Sequence, residues 1–417
     1  MPAPARNTLA IIGAGPVGLE AALAALDAGF DVHMFERGEA GAHPIAWGHV
    51  VMFTPWRMNW GPSSLAHLER AGWTRPDPEA FPSGLELAER YLEPLAQLPE
   101  LRSRVHTHAQ VVFVGRSGVL KGDMIGKAER GERPFRLLVR DASGRENFLQ
   151  AFAAIDASGV YGNPNWAGDG GIPARGELYL APQLSYHVDD VLGLRRERYA
   201  GKRTLVIGAG ASAATLVTNL ATLADQAPGT SAVWATRAEP SRLLQLPEDP
   251  LPQRRALYAR ARALAGGANP AVRHVGGIRV DGFEFNSATH RYRAAFLIGD
   301  RPYVEEVDQV LVGAGFGPDN SLYRELQVHE CYASRGPMKL SAALLASGAD
   351  DCLTTPAFGA EALENPEPDF WILGHKSYGR NPNFLLETGY RQVADVVARL
   401  AERLGVSANV SPGPGRA

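Results

Sequence analysis

Cysteine is nearly absent: the 417 residues contain only Cys331 and Cys352. Two thiols 21 residues apart cannot build a disulfide framework or a cysteine-rich metal site. The same spacing excludes a CxxC or CxxxxC redox pair. Lysine is scarce too. Of the 42 cationic side chains only Lys121, Lys127, Lys202, Lys339 and Lys376 are not arginine. Against 45 Asp and Glu the formal net charge is −3, which excludes a general attraction for nucleic acid or for an anionic membrane. No long apolar run is present. Residues 1–7 carry one arginine, and the stretch that follows is broken by Gly13, Gly15 and Gly18. Neither a signal peptide nor a membrane span is expected, and the expected compartment is the cytoplasm. The 11 histidines form no HxxxH or HExxH pattern, so no metal site is expected. What is left, 45% hydrophobic and 21% charged, is an ordinary globular mixture rather than a disordered, collagenous or coiled-coil chain.

What is present is a pattern that occurs twice. Thr8 to Ile12 reads as a short apolar strand, Gly13-Ala-Gly15-Pro16-Val17-Gly18 as a turn, Leu19 to Ala28 as a helix ended by Gly29, and Phe30 to Phe35 as a second strand. About 195 residues on, Arg203 to Ile207, Gly208-Ala-Gly210-Ala211-Ser212-Ala213, Ala214 to Ala224 and Ser231 to Ala235 repeat it. Two βαβ units so far apart predict an α/β protein with two doubly wound Rossmann-like domains. Two further strands end in small residues, Phe152 to Asp156 before Ala157-Ser158-Gly159, and Gln309 to Val312 before Gly313-Ala314-Gly315. Glycine- and proline-rich connectors near 160–200 and 317–318 place the second domain as an insertion. The expected organisation is 1–174 and 318–405 for the first domain, 175–317 for the second, and a disordered tail over 406–417.

A dinucleotide's pyrophosphate is held by a helix N-terminus whose N–H groups point at it, and side chains must be absent for the backbone to come close. Gly13 suits the tight turn, Gly15 the approach and Gly18 the helix–strand packing. Glu36, 23 residues after Gly13, ends the second strand, where a carboxylate accepts from ribose hydroxyls. The second loop has Ala213 at its third position, and its second strand ends in Arg237, preceded by Thr236. A guanidinium there can take a 2′-phosphate in bidentate geometry, with Arg242 to assist. This argues for FAD at the first loop and NADPH at the second, the pair that hydride traffic through a bound cofactor needs.

These features resemble the two-dinucleotide-binding-domain flavoproteins, and within them the class B flavin-dependent monooxygenases, which include flavin-containing and N-hydroxylating enzymes. Tyr199-Ala-Gly201-Lys202-Arg-Thr-Leu-Val-Ile-Gly208-Ala-Gly210-Ala-Ser212-Ala213 is similar to the family's "YxGKxVxVIGxGxSA", and Ala157-Ser158-Gly159 to its "ATG". Gly374-His375 stands where many flavoproteins carry Gly-Asp. Tyr378-Gly379 and Leu385-Leu386 are similar to the "HG…LL" stretch of the N-hydroxylating enzymes. The resemblance implies that Gly374, Asn383, Phe384 and Leu385 approach the flavin. Val17 occupies a position where some thiol-disulfide reductases of this architecture carry a cysteine.

The stretch 47–60 follows the Glu36 strand and is rich in aromatic and hydrogen-bonding groups. Trp47, His49, Trp56 and Asn59 are read either as a flavin and substrate pocket or as core with local hydrogen bonds. His49, Trp56, Asn59 and Asn383 are the catalytic candidates. Arg37, Val111 and Gly315 complete the cofactor contacts. The resulting expectation is an FAD- and NADPH-dependent oxidoreductase, foremost a monooxygenase that forms a peroxyflavin and oxygenates a nitrogen or sulfur centre of a small molecule. The alternative is an NADPH-dependent flavin reductase of a disulfide, quinone or metalloid. A small-molecule substrate and O₂ are the expected partners, and a homo-oligomer is compatible with the sequence.

Overall fold

The computed structural model describes residues 4–239, 244, 249–347 and 358–407. It falls into two compact units, Met1–Gly162 with Gly317–Ala417, and Asn163–Phe316. The chain is α/β, each unit built on a parallel sheet.

In the first unit the chain forms β1 (Thr8–Ile12), β2 (Asp31–Phe35), β3 (Val105–His106), β4 (Gln110–Arg116), β5 (Phe135–Arg140), β6 (Glu146–Ala151) and β7 (Ala153–Asp156), and returns after the second unit with β15 (Phe370–Ile372). The parallel sheet runs β15-β7-β1-β2-β3. All five residues of β1 are buried, as a central strand covered on both faces requires. The helix Pro16–Asp27 starts on a proline and ends before Gly29, whose φ of +95° no larger residue adopts without strain. It packs beside the amphipathic helix Leu386–Leu404, which buries Tyr390, Val393, Val396, Val397 and Leu400. The strands β4–β6 form a separate antiparallel sheet.

The second unit contains β8 (Arg203–Ile207), β9 (Ser231–Ala235), β10 (Val272–Val275), β11 (Ile278–Asn286), β12 (Arg291–Ile298), β13 (Arg301–Val307) and β14 (Gln309–Val312). Its parallel sheet runs β10-β9-β8-β14, and β11-β12-β13 form an antiparallel meander. Val280, Phe283, Phe296 and Val307 of the meander join Leu205, Val233 and Val310 of the parallel sheet in one core.

The expected boundary at 174/175 falls inside the second unit. The glycine- and proline-rich connector is not a loose linker there. Arg175 donates its N–H to Asp281 and accepts from Phe283 N–H at 2.8 Å, and the buried Glu177 carboxylate takes the N–H groups of Ala167 and Ala174, both at 2.8 Å. Of the expected tail over 406–417, positions 408–417 lie outside the described residues. Among the described residues no helix is long and apolar enough to cross a membrane, and no cluster of metal-ligating side chains occurs.

Candidate cofactor sites

Each parallel sheet reverses its strand order beside its first strand, and both glycine loops open at that point, where α/β sheets bind ligands. The two loops are built alike. Gly13 N–H donates to Phe35 at the end of β2 (2.8 Å), and Gly208 N–H to Ala235 at the end of β9 (3.0 Å). Ala157 N–H donates to Ile12 (2.9 Å), and Gly313 N–H to Ile207 (2.6 Å). Gly13 and Gly208 have φ of +100° and +128°. A Cβ on Gly13 would stand 2.7 Å from the Ala157 oxygen, and one on Gly208 would collide with the Gly313 oxygen. Gly18 is pressed on the Gly13 carbonyl, whereas Ala213 finds room because Gly313 faces it.

Gly15 and Gly210 differ from these. Both are extended, and nothing lies within 4 Å of a Cβ on either. They cap the helices Pro16–Asp27 and Ala211–Gln226. No side chain caps either helix, and neither has an acid in its first turn. The first-turn N–H groups behind each open glycine, including those of Val17, Gly18, Ser212 and Ala213, are therefore free to receive an anion. In the first unit Glu36 lies beside the loop. Its carboxylate accepts from Ala14 N–H and Gly38 N–H, each at 2.9 Å. Arg37 is exposed next to Gly162. In the second unit Arg237 is exposed and makes no hydrogen bond or ion pair among the described residues. Gly315 (φ +82°) accepts from Asn165 N–H at 2.9 Å. Arg242 lies outside the described residues.

The Gly374 segment joins the first loop. A Cβ on Gly374 (φ +71°) would stand 3.4 Å from the Val17 side chain, and one on Gly389 would collide with both Val17 and Phe384. Phe384 stacks on His375, ring planes 8° apart and centroids 5.5 Å apart. Burial pushes the His375 imidazole down to about 4, so it is neutral at neutral pH. Leu385 caps the helix Leu386–Leu404, and Asn383 N–H donates to the Asn381 side chain.

The stretch 47–60 divides. His49 is half-buried, and its Nε2 is buried with no hydrogen-bond partner, the state of a group that a ligand can satisfy. Trp47 lies over Gly84, where any Cβ would strike its ring. Trp56 is core instead, 1% exposed and stacked on Trp60 at 6.2 Å. Asn59 is 1% exposed, and its amide is spent within its own loop, donating to Thr54 and Pro55 and accepting from the Thr54 hydroxyl at 2.8 Å. Val111 belongs to the core between β4 and β5, paired with Val139. These three are placed by apolar packing and local hydrogen bonding, Trp56 in the same core as Ala14 and Val17 of the loop and Val111 in the core that contains Ile12 and Phe35.

Ser158 has a different role from the one its motif suggests. Its hydroxyl donates to Asp156 at 2.6 Å and lies 3.1 Å from Lys376 Nζ. Lys376 Nζ also donates to the other Asp156 oxygen at 2.6 Å, and its ammonium lies over the Tyr323 ring at 5.2 Å. Asp156 is fully buried and Lys376 is 2% exposed. The Ser158 side chain is thus occupied by a buried ion pair, leaving the backbone of Ala157 to Gly159 to face the loop. The sequence does carry a signal for this pair: a charged residue closes a strand otherwise fully apolar, and Lys376 is one of five lysines.

No protein-family model and no curated protein matches the sequence. Solved structures do. Bacillithiol disulfide reductase Bdr (YpdA) of Bacillus cereus superposes with a TM-score of 0.69 at 17% identity, covering 95% of this chain and 99% of that one. Ornithine N-hydroxylase KtzI of Kutzneria sp. 744 gives 0.63 at 15%, over 96% of this chain and 100% of that one. The cadaverine monooxygenase DfoA of Erwinia amylovora gives 0.61 at 14%, over 99% of each. The chain has the fold of the two-dinucleotide-binding-domain flavoproteins. This is the group its sequence resembles, and the likeness of fold spans disulfide reductases and N-hydroxylating monooxygenases alike.

Proposed function

We propose that the chain is an FAD- and NADPH-dependent oxidoreductase, with FAD on the first loop and NADPH on the second, and that it oxygenates a nitrogen or sulfur centre of a small molecule at the expense of O₂. The observation that carries the cofactor assignment is the matched pair of switch points, each with an uncapped helix N-terminus behind a glycine that opens on free space. The residues fit these groups. Glu36 presents a carboxylate for ribose hydroxyls, Arg237 a free guanidinium for a 2′-phosphate, and His49 an orphaned nitrogen for a hydrogen bond to the flavin or substrate. Bound FAD would supply hydride acceptance from NADPH and electron delivery to O₂ or another acceptor.

Cysteine usage favours oxygenation over thiol relay. Cys331 is buried, and although hydrogen bonds from the Ser334 backbone and hydroxyl hold its thiol below the ordinary value and so favour the thiolate, a thiol relay needs a second cysteine within reach. No second cysteine stands at dithiol spacing, and Cys352 lies outside the described residues. Replacing both by serine is therefore expected to preserve reduction by NADPH and turnover, with at most a lower melting temperature. A doubly substituted protein that NADPH still reduces but that turns over no acceptor would place a thiol on the electron path. The second reading, NADPH-dependent reduction of a disulfide, quinone or metalloid, draws its support from the likeness to the Bacillus cereus reductase. Stopped-flow reoxidation decides between the two. A transient absorbing between the reduced and oxidised flavin bands on mixing with O₂ supports oxygenation, and faster transfer to a disulfide or quinone than to O₂ overturns it.

The coenzyme assignment has its own test. A bidentate arginine–phosphate contact contributes on the order of 1.5–3 kcal/mol, roughly ten- to a hundredfold in affinity. Arg237→Ala should raise the NADPH Michaelis constant by about that factor and leave that for NADH nearly unchanged. Equal losses with both coenzymes would make Arg237 structural.

A further inference from the structure

Thr236, the first residue beyond β9, is 1% exposed and tied on every side. Its N–H donates to Val275 and its carbonyl accepts from Ile278 N–H, both at 3.0 Å. Its hydroxyl donates to the Ala238 carbonyl at 2.7 Å and lies 2.9 Å from His274 Nε2. A hydroxyl has one proton, and here Ala238 receives it, so His274 Nε2 is the donor to Thr236. The His274 ring sits edge-on to Trp234 at 5.2 Å, and the Trp234 indole N–H donates to the Gly208 carbonyl at 2.8 Å. One chain of contacts, Gly208–Trp234–His274–Thr236, thus runs from the start of the glycine loop to the root of Arg237.

Arg237 comes next, exposed and without a partner among the described residues. Glu239, the carboxylate that could neutralise it, lies against Gly277 and makes no ion pair with it. The Thr236–Ala238 hydrogen bond fixes the turn between the two. An arginine loses much rotamer freedom on binding, and a fixed backbone root lowers that cost.

We propose that the Thr236–His274 latch preorganises Arg237 for a phosphate monoester on the ribose 2′ position, and so sets the preference for NADPH over NADH. The proposal rests on the reading of Arg237 given above, which the Arg237→Ala variant tests separately. Thr236 and His274 are positioning residues: neither needs to touch the coenzyme.

The experiment titrates the flavin-loaded full chain calorimetrically with 2′,5′-ADP and with 5′-AMP. Thr236→Val keeps the shape and removes both hydroxyl contacts. His274→Phe keeps a ring beside Trp234 and removes the donor. Each should narrow the 2′,5′-ADP to 5′-AMP affinity ratio about three- to tenfold, the scale of one lost hydrogen bond, with 5′-AMP binding within about twofold of the parent. The double variant should be no worse than the worse single one, because both break the same latch. His274→Gln, which offers an amide donor, should recover part of the ratio. An unchanged ratio in a folded Thr236→Val or His274→Phe protein overturns the proposal, as does parallel loss of both nucleotides. Should Thr236→Val fail to fold, His274→Phe alone decides. A parent protein that binds both nucleotides equally overturns the Arg237 reading and this proposal together.

Discussion

Gly15→Val is expected to fold and to purify without colour. Gly15 is extended at φ −83° and ψ −175°, a conformation valine adopts freely, and nothing lies within 4 Å of the Cβ it would gain. The folded protein therefore loses little, about 1 kcal/mol for a poorer helix cap. The space that valine fills is the space a pyrophosphate would occupy in front of the free N–H groups of the helix. Losing two charge-assisted hydrogen bonds costs about 3–6 kcal/mol, or roughly a hundred- to ten-thousandfold in FAD affinity. Gly18→Val is the control with the opposite outcome. Its Cβ would run into the Gly13 carbonyl, so it should lower stability by about 3 kcal/mol or more and lose colour only through unfolding. Flavin absorbance per protein, measured beside thermal melts, separates the two. A fully yellow Gly15→Val protein would remove FAD from the first loop.

The contrast between these glycines shows which parts of the architecture the sequence displays. Local signals carry β1, β8, β9 and β14 at their observed limits, and the two helices behind the loops to within a turn. Apolar runs bounded by glycine depend on near neighbours only, so they are legible. The antiparallel sheets β4–β6 and β11–β13 are poorly legible because β4 and β11 shift register at bulges, β6 is half exposed, and none of these strands carries a motif. The same holds for the core of the first unit at Glu367, whose carboxylate joins Arg116 at 2.7 Å and Arg130 at 2.9 Å across more than 230 residues of sequence. At the cofactor sites the backbone parts were legible, since a turn that excludes side chains must be written in glycine. The side-chain parts were legible only in type. Asn59, Trp56 and Val111 have the chemistry or location of site residues, but packing directs them into the core. Asp156 at the end of an apolar strand and the scarcity of lysine mark each member of the Asp156–Lys376 pair, but nothing local joins two residues 220 apart.

Lys376→Met should be among the most destabilising single substitutions in the first unit. The ammonium is 2% exposed and the Asp156 carboxylate it meets is fully buried. Methionine nearly matches the lysine stem in length, so packing changes little. The substitution instead strands a carboxylate with no counter-charge. Removing one partner of a buried pair costs about 3–5 kcal/mol, whereas replacing both by neutral groups is often nearly free. For a unit of this size that predicts a melting transition lower by about 6–20 °C. The double variant Asp156→Asn, Lys376→Met should recover most of the loss. An asparagine oxygen can still accept from the Ser158 N–H and hydroxyl, which now meet Asp156 at 3.0 and 2.6 Å. The effect should reach the cofactor loop. The Ala157–Ser158 backbone that Asp156 anchors is what Gly13 packs against, so the single variant should also bind FAD less tightly at temperatures where it remains folded. The double variant, with the turn restored, should bind nearly as the parent does. If Lys376→Met melts like the parent, the pair is not holding the turn. If the double variant melts as low as the single one, the loss comes from packing and not from an unpaired charge.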